Sequence, residues 1–417
     1  MNVIEIKPDI YWVGVVDWAV RDFHGYVTPS GTTYNNYLIL DEEITLVDTV
    51  KHDFLDVGIA NIKSVVDPLK IKNIVINHIE NDHMGALDRV MEIVPRDVTI
   101  YTTKRAKDGM DRFFDISKWN IITVKTGDEV KTGKYTLKFI ETPMIHWPDS
   151  MMTYVQGAKL LMSQDAFGQH LASAARFDDE FIDCASLTEL EDATLDYYAN
   201  ILMPFGTLIK AKIAEIKKMG IEIDMIAPDH GVIWRKNPEL AMEMYLDMAN
   251  NQANERIVII YDTMWNSTEQ MTLPIMRGIR DEGVDCRVIK LRATPMSVAI
   301  KEFWKSRGCL IGSPTLNNEV FPSIAEFMVH LLGLRPKERL MAAFGSYGWG
   351  GGAVKWLYEM FNKMKMPVVE PGIGVQYRLK PDDEKKCYEF GRNFAQQVKE
   401  YQKKFSIVST KLCKLCK

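Results

Sequence analysis

Apolar residues in roughly the first 250 positions come in short bursts. YWVGV (11–15), NYLIL (36–40), ITLVD (44–48) and NIVIN (73–77) are β-branched-rich runs bounded by Gly, Asp and Asn, which predicts strands. KYTLKFIET (134–142) alternates apolar with polar positions, the period of a half-buried strand. MMTYVQ, KLLMS and EIDMIAP extend the series. Helical periodicity intervenes in FLDVGIANIKSVVDP and MGALDRVMEIVP, each stopped by a proline. This mixture predicts antiparallel character rather than strict βαβ alternation.

The rhythm changes near residue 253. The helical segment NPELAMEMYLDMANNQANE ends in a polar stretch (250–255) that reads as a linker. Beyond it, RIVIIYD (256–262), VDCRVIK (284–290), GCLIGS (308–313) and ERLMAAFGS (338–346) read as strands. The segments STEQMTLPIMRGIRDEG, FPSIAEFMVHLLGL and AVKWLYEMFNKM read as helices among them. A last helix sets Cys387, Phe390, Phe394, Val398, Tyr401 and Phe405 on one apolar stripe. Such alternation predicts a doubly wound parallel sheet with helices on both faces. The organisation is therefore α/β in two domains, 1–252 and 253–404, followed by a tail over 405–417.

Composition narrows the function classes. The chain has 417 residues, 47% hydrophobic and 26% charged, as an ordinary globular protein does. Its net charge of −5 lacks the basic excess of a nucleic-acid binder. No run approaches the roughly 18 apolar residues of a membrane span. The start MNVIEIKPDIYWVG has no basic region followed by an apolar run, so no signal peptide is expected. Six irregularly spaced cysteines do not make a disulfide framework, and a reducing cytoplasm fits them.

Four segments place metal-ligating residues just past an apolar strand. NIVIN is followed by His78, Glu80, Asp82 and His83; the 134–145 run by His146; KLLMSQ by Asp165; and DMIAPD by His230. Strand ends at one sheet edge can converge, so four imidazoles and three carboxylates can form two coordination spheres bridged by one carboxylate, Asp165. A lone HxExDH is a weak signal; the repeated strand-then-ligand context is a strong one. Order and spacing resemble the metallo-β-lactamase-like fold, whose hydrolases carry HxHxDH. Here Glu80 stands at the second histidine. An added carboxylate hardens the site and shifts it from zinc toward iron or manganese. Three carboxylates against two divalent ions leave +1, and against two trivalent ions +3, which suits a redox-cycling iron pair.

In the second half, RIVIIYD runs into Thr263, Met264, Trp265, Asn266, Ser267 and Thr268 and then a helix. Free amides and hydroxyls at a helix start make an anion site. No P-loop lysine is present, so the loop suits the single terminal phosphate of FMN rather than a triphosphate. Two further strands end in Ser313, Pro314, Thr315, Leu316 and Asn317, and in Ser346, Tyr347, Gly348, Trp349, Gly350 and Gly351. All three loops are expected along the carboxyl edge of the sheet, with Tyr347 or Trp349 flanking a flavin ring. The set resembles the FMN loops of flavodoxin.

A metallo-β-lactamase-like αββα sandwich with Glu80 in its motif, fused to a flavodoxin-like sheet, resembles the flavodiiron proteins (A-type flavoproteins) up to about residue 404. By that likeness His78, Glu80 and His146 hold one non-haem iron, Asp82, His83 and His230 hold the other, and Asp165 bridges them. HWPDSM (146–151) and DAFGQH (165–170) look like the methanogen-type members, which oxidise reduced coenzyme F420 with O2. The resemblance also implies a head-to-tail homodimer, or a dimer of dimers, and a shared architecture with nitric oxide reductases fed by a rubredoxin-like protein. His24 is the candidate catalytic residue beside the pocket and His170 an outer hydrogen-bond partner, while His52 and His330 read as structural. Cys184, Cys286, Cys309 and Cys387 read as buried small hydrophobes. Cys413 and Cys416 form a single CxxC where a rubredoxin-like site needs two, so 405–417 reads as a tail. A dizinc hydrolase and a pure electron carrier are the rival readings; Glu80 argues against the first, and the second predicts a reducible flavin without O2 consumption.

Overall fold

The computed structural model describes residues 3–405. The first unit holds a seven-stranded sheet, in spatial order Ile4–Lys7, Ile10–Trp12, Tyr37–Ile39, Ile44–Val47, Ile71–Val75, Thr99–Thr102 and Asn120–Thr123. Its partner has five strands: Glu129–Lys131, Thr136–Glu141, Met151–Gln156, Leu160–Gln164 and Met225–Pro228. Strand alternation sorts the side chains. Tyr37, Ile39, Val47 and Val75 pack against Phe139, Val155, Leu160 and Ala227 between the sheets. Leu38, Leu46 and Ile74 turn the other way, toward helices Leu55–Val65, Leu87–Ile93 and Lys104–Phe113. Ile140, Tyr154, Leu161 and Ile226 meet helices Cys184–Tyr197, Gly206–Lys218 and Pro238–Ala249 on the far side. The result is helix, sheet, sheet, helix, and most pairings of the first half are antiparallel as expected.

The second unit is one parallel sheet in the order Asp285–Lys290, Asn254–Tyr261, Ser306–Gly312, Leu340–Tyr347, Ile373–Gln376. Numbered along the chain this is 2-1-3-4-5, the flavodoxin-like winding, with its crevice beside the first strand's carboxyl end. Helices Ser267–Asp281 and Pro381–Gln402 cover one face through Met271, Ile275, Phe394 and Val398. Helices Met296–Lys305, Pro322–Leu334 and Gly352–Lys363 cover the other. That second core runs without a break into the helices of the first unit, so the seam between the two has an apolar centre.

The stretch read as a linker is short and pinned. Arg307 and Arg339, both fully buried, each donate to the Asn251 carbonyl, and the Arg307 Nε donates to Gln402 at 2.8 Å. One cysteine expectation is corrected. Cys286, Cys309 and Cys387 are buried, but Cys184 is exposed, because it opens a helix whose first turn faces outward. Cys413 and Cys416 lie outside the described residues.

Candidate metal centre and flavin pocket

The candidate ligands leave strand ends in the first unit. His78 follows Ile71–Val75, Asp165 follows Leu160–Gln164, and His230 follows Met225–Pro228. His146 sits in the turn between Thr136–Glu141 and Met151–Gln156. Glu80 precedes the one-turn helix Asn81–Met84, which carries Asp82 and His83. The structure brings all seven together. His78 Nε2 and His146 Nε2 approach the Asp165 Oδ2 at 3.5 and 3.1 Å and the Glu80 Oε2 at 3.3 and 3.4 Å. His83 Nε2 and His230 Nε2 approach the other oxygen, Asp165 Oδ1, at 3.1 and 3.4 Å, and the Asp82 Oδ2 at 3.4 and 3.0 Å. Asp165 thus offers one oxygen to each set.

These atoms aim past one another. The Asp82 and Asp165 oxygens and the Nε2 atoms of His83, His146 and His230 are buried without a hydrogen-bond partner. Lone pairs that converge at 3.0–3.5 Å without donating are what a cation-binding pair of cavities requires, and the residues fit two metal ions. The local field agrees. Burial opposes charge on His78, yet Asp149 and Glu80 outweigh it and push the imidazole up to about 10. His146 goes up to about 9 against burial, through Asp165 and Glu80. Burial would raise Glu80, but His146, His24 and His78 hold it well below the carboxylate range.

A second layer fixes the rings. Asp149 accepts from His78 Nδ1 at 2.9 Å and from the Ile79 amide at 3.0 Å. The Thr33 carbonyl accepts from His230 Nδ1 at 2.6 Å, which leaves Nε2 as the free lone pair. The Asp229 Oδ2 faces His83 Nδ1 at 3.5 Å, and Asp48 anchors Asn77 through two contacts of 2.7 Å. Gly231 turns the chain after His230 at φ +77°, and a Cβ there would stand 2.2 Å from Gln169 Oε1.

His24 reaches this centre from a hairpin. Strands Asp22–Phe23 and Tyr26–Val27 pair through a two-residue turn in which His24 (φ 53°) and Gly25 (φ 76°) are both left-handed. Its Nδ1 lies 3.0 Å from Glu80 Oε1. His170 stacks 5.5 Å from His24, and its Nδ1 meets Thr32 Oγ1 at 2.9 Å. Tyr26 and Tyr197 close the group, with ring centroids 6.1 and 4.8 Å from His170. The Tyr26 and Tyr197 hydroxyls and the Nε2 atoms of His24 and His170 are buried without partners. Sequence reasoning missed Tyr26, Tyr197, Asp149, Thr32 and Asp229, which no spacing marks. His52 lies in a one-turn helix, and His330 on helix Pro322–Leu334 in the second unit.

The three loops of the second unit line one cavity of about 650 Å³. Met264, Trp265, Asn266 and Ser267 meet Pro314, Thr315, Leu316 and Asn317, and Ser346, Tyr347, Gly348, Trp349 and Gly350 complete the wall. Thr263, Thr268, Ser313 and Gly351 do not line it. Thr268 and Ser346 join the first and third loops through their hydroxyls at 2.8 Å, Ser313 Oγ accepts from the Phe321 amide at 2.9 Å, and Gly351 caps helix Gly352–Lys363. Gly352 lets the third loop close on the second, since a Cβ there would meet the Asn318 carbonyl at 1.8 Å. Gln270, Asn318, Tyr377 and Arg378 also line the cavity and were not foreseen. The last two follow the fifth strand, which the sequence pattern had not disclosed. The buried Thr263 Oγ1 has no partner, and Trp265 and Trp349 stand over 80% exposed at the mouth (82% and 85%). An apolar cleft whose first loop runs into a helix start fits a flat ring carrying a phosphate.

Comparison with known proteins agrees with both halves. An ODP family beta lactamase model matches residues 32–231 and a flavodoxin model matches residues 259–391. The chain is 45% identical over 398 residues to a nitric oxide reductase of Moorella thermoacetica, covering 95% of this chain and 98% of that one. The solved rubredoxin oxygen:oxidoreductase of Desulfovibrio gigas superposes with a TM-score of 0.92 at 35% identity, covering 96% and 99%. A flavodiiron protein from Giardia intestinalis does so with a TM-score of 0.90 at 31% identity, covering 97% and 98%. A candidate dimetal constellation in a lactamase-like unit, a flavin-shaped cleft in a flavodoxin unit and relatives along the whole length lead to one conclusion: the chain belongs to the flavodiiron protein family, oxidoreductases that carry FMN and a non-haem diiron centre.

Proposed function

We propose that this oxidoreductase reduces O2 to water with electrons that enter through FMN, and that its donor is reduced coenzyme F420. The reading rests on Asp165, whose two oxygens face two separate sets of imidazole nitrogens and carboxylates. In it, His78, Glu80 and His146 would hold one iron, Asp82, His83 and His230 would hold the other, and Asp165 would be shared between them. Bound FMN would supply hydride uptake and one-electron release, and a bound iron pair would supply two further reducing equivalents. The protein's own residues do the rest. Asp149 and the Thr33 carbonyl keep His78 and His230 in the tautomers that leave Nε2 free. Tyr26, Tyr197 and His170 hold donors in a buried space beside the centre, where a diatomic substrate meets hydrogen-bonding groups and little bulk water.

A second reading is nitric oxide reduction with electrons from a rubredoxin-like protein. It is favoured by the names of the relatives, one a nitric oxide reductase and another a rubredoxin oxygen:oxidoreductase. A head-to-tail homodimer, or a dimer of dimers, belongs to either reading, and the exposed Trp265 and Trp349 at the flavin mouth suit burial by a partner copy. No described helix is long and apolar enough to cross a membrane. The donor is tested by mixing the iron-loaded, oxidised protein anaerobically with reduced F420 or with reduced rubredoxin. Rapid flavin bleaching by F420 alone supports the first reading. Bleaching by rubredoxin alone moves the enzyme to the second.

A further inference from the structure

The first of the three loops around the cleft is backed by a buried acid. Asp262 directly follows strand Asn254–Tyr261, is fully buried and directly precedes the loop that begins at Thr263. Its Oδ1 accepts the Thr263 amide at 2.7 Å, and its Oδ2 accepts Ser323 Oγ at 2.6 Å. The carboxylate therefore shapes the loop. It also places negative charge, out of water, behind the loop that the FMN reading assigns to a phosphate monoester of about −1.5 to −2 charge.

Arg292 answers that charge from the turn Leu291–Ala293, which follows the neighbouring strand. Its Nε lies 2.9 and 3.0 Å from the two Asp262 oxygens, and an Nη donates to the Thr263 carbonyl. The guanidinium also covers the Phe321 ring at 4.9 Å, and the Phe321 amide donates to Ser313 of the second loop. A trans peptide points its carbonyl and its amide in opposite directions. Holding the Thr263 carbonyl on Arg292 thus turns the Met264 N–H away from the arginine. Thr263 Oγ1 is buried in the same loop without a partner.

We propose that Arg292 is a positioning residue for the flavin phosphate: it cancels the Asp262 carboxylate and fixes the Thr263 peptide, so that the loop presents donors instead of a buried anion. The proposal rests on the FMN reading above and adds to it the residue that makes the cleft selective for a phosphorylated flavin. Arg292 touches neither the ring nor the metal centre in this scheme; it acts through Asp262 and Thr263.

The test titrates the deflavinated full-length chain with FMN and, separately, with riboflavin, which lacks the phosphate, following quenching of flavin fluorescence. Arg292→Ala is expected to weaken FMN binding by roughly ten- to a hundredfold, because the fully buried Asp262 loses the half-exposed cation that faces it. Riboflavin affinity is expected to change by less than about threefold. The double variant Asp262→Asn with Arg292→Gln, which removes both charges and keeps polar groups, is expected to regain FMN affinity to within about threefold of the parent. Equal losses for both flavins in Arg292→Ala would reduce Arg292 to a loop brace and overturn the proposal. So would a double variant that still discriminates against FMN, and this arm stands even if Arg292→Ala does not fold. A parent chain that binds neither flavin would instead defeat the FMN reading itself.

Discussion

Asp165 and Glu80 are both carboxylates in the same constellation, yet their removal should differ in kind. Asp165 faces both sets of nitrogens, whereas Glu80 faces only His78 and His146 on the metal side. Asp165→Ala is therefore expected to strip most iron from the chain, and Glu80→Ala about half of it. FMN content should stay unchanged in both, since the flavin cleft belongs to the other unit. Iron and flavin assays per chain check this, and equal iron loss in the two variants would contradict the bridging role. Asp149 works one layer out. Asp149→Ala frees His78 Nδ1 and the Ile79 amide, and it is expected to weaken iron binding by about 10- to 100-fold, read by competition with a chelator.

At the scale of elements, the seam between the units carries its own titration. Helix Cys184–Tyr197 presents Asp192 and Asp196 to Lys301 and Lys305 of helix Met296–Lys305. Asn200, in the π-turn Tyr198–Leu202, and the hairpin of His24 both bind Ser297 at the start of that second helix. Burial pushes the Asp196 carboxyl up to about 6, against Lys301, and Asp192 adds to the rise. A folded pKa above the unfolded one means the folded chain holds the extra proton. Stability from this group is then full below about pH 4 and lost as pH rises through about 6, a loss on the order of 3 kcal/mol at most. Asp196→Asn is expected to flatten that part of the profile and to raise the urea midpoint above pH 6; an unchanged profile would refute the assignment.

The same seam shows what the sequence could and could not disclose. His78, Asp165 and His230 were legible because each comes within three residues of the end of a recognisable apolar strand, and Glu80, Asp82 and His83 because they share one short motif. The flavin loops were legible for the same reason. Helix Met296–Lys305 was not, because its apolar face is split between a sheet and the other unit. Strand Ile373–Gln376 is only four residues with a glycine inside, so its period is too short to read, and the loop with Tyr377 and Arg378 was lost with it. Tyr197, Thr32 and Asp149 act through distance in space, across sequence gaps that no periodicity records.

The whole molecule joins two units that could each have been something else: a lactamase-like hydrolase and a flavodoxin-like carrier. The central claim is that electrons stored on the flavin are spent at the dimetal centre on a diatomic substrate. The direct measurement is anaerobic stopped-flow of the fully reduced, iron-loaded protein against O2 or NO, in the parent chain and in Glu80→Ala. Flavin reoxidation in the parent should be fast and leave no hydrogen peroxide, and Glu80→Ala should reoxidise slowly and release peroxide, as a bare flavin does. Equal reoxidation rates in the two proteins, or peroxide as the main product of the parent, would contradict the account.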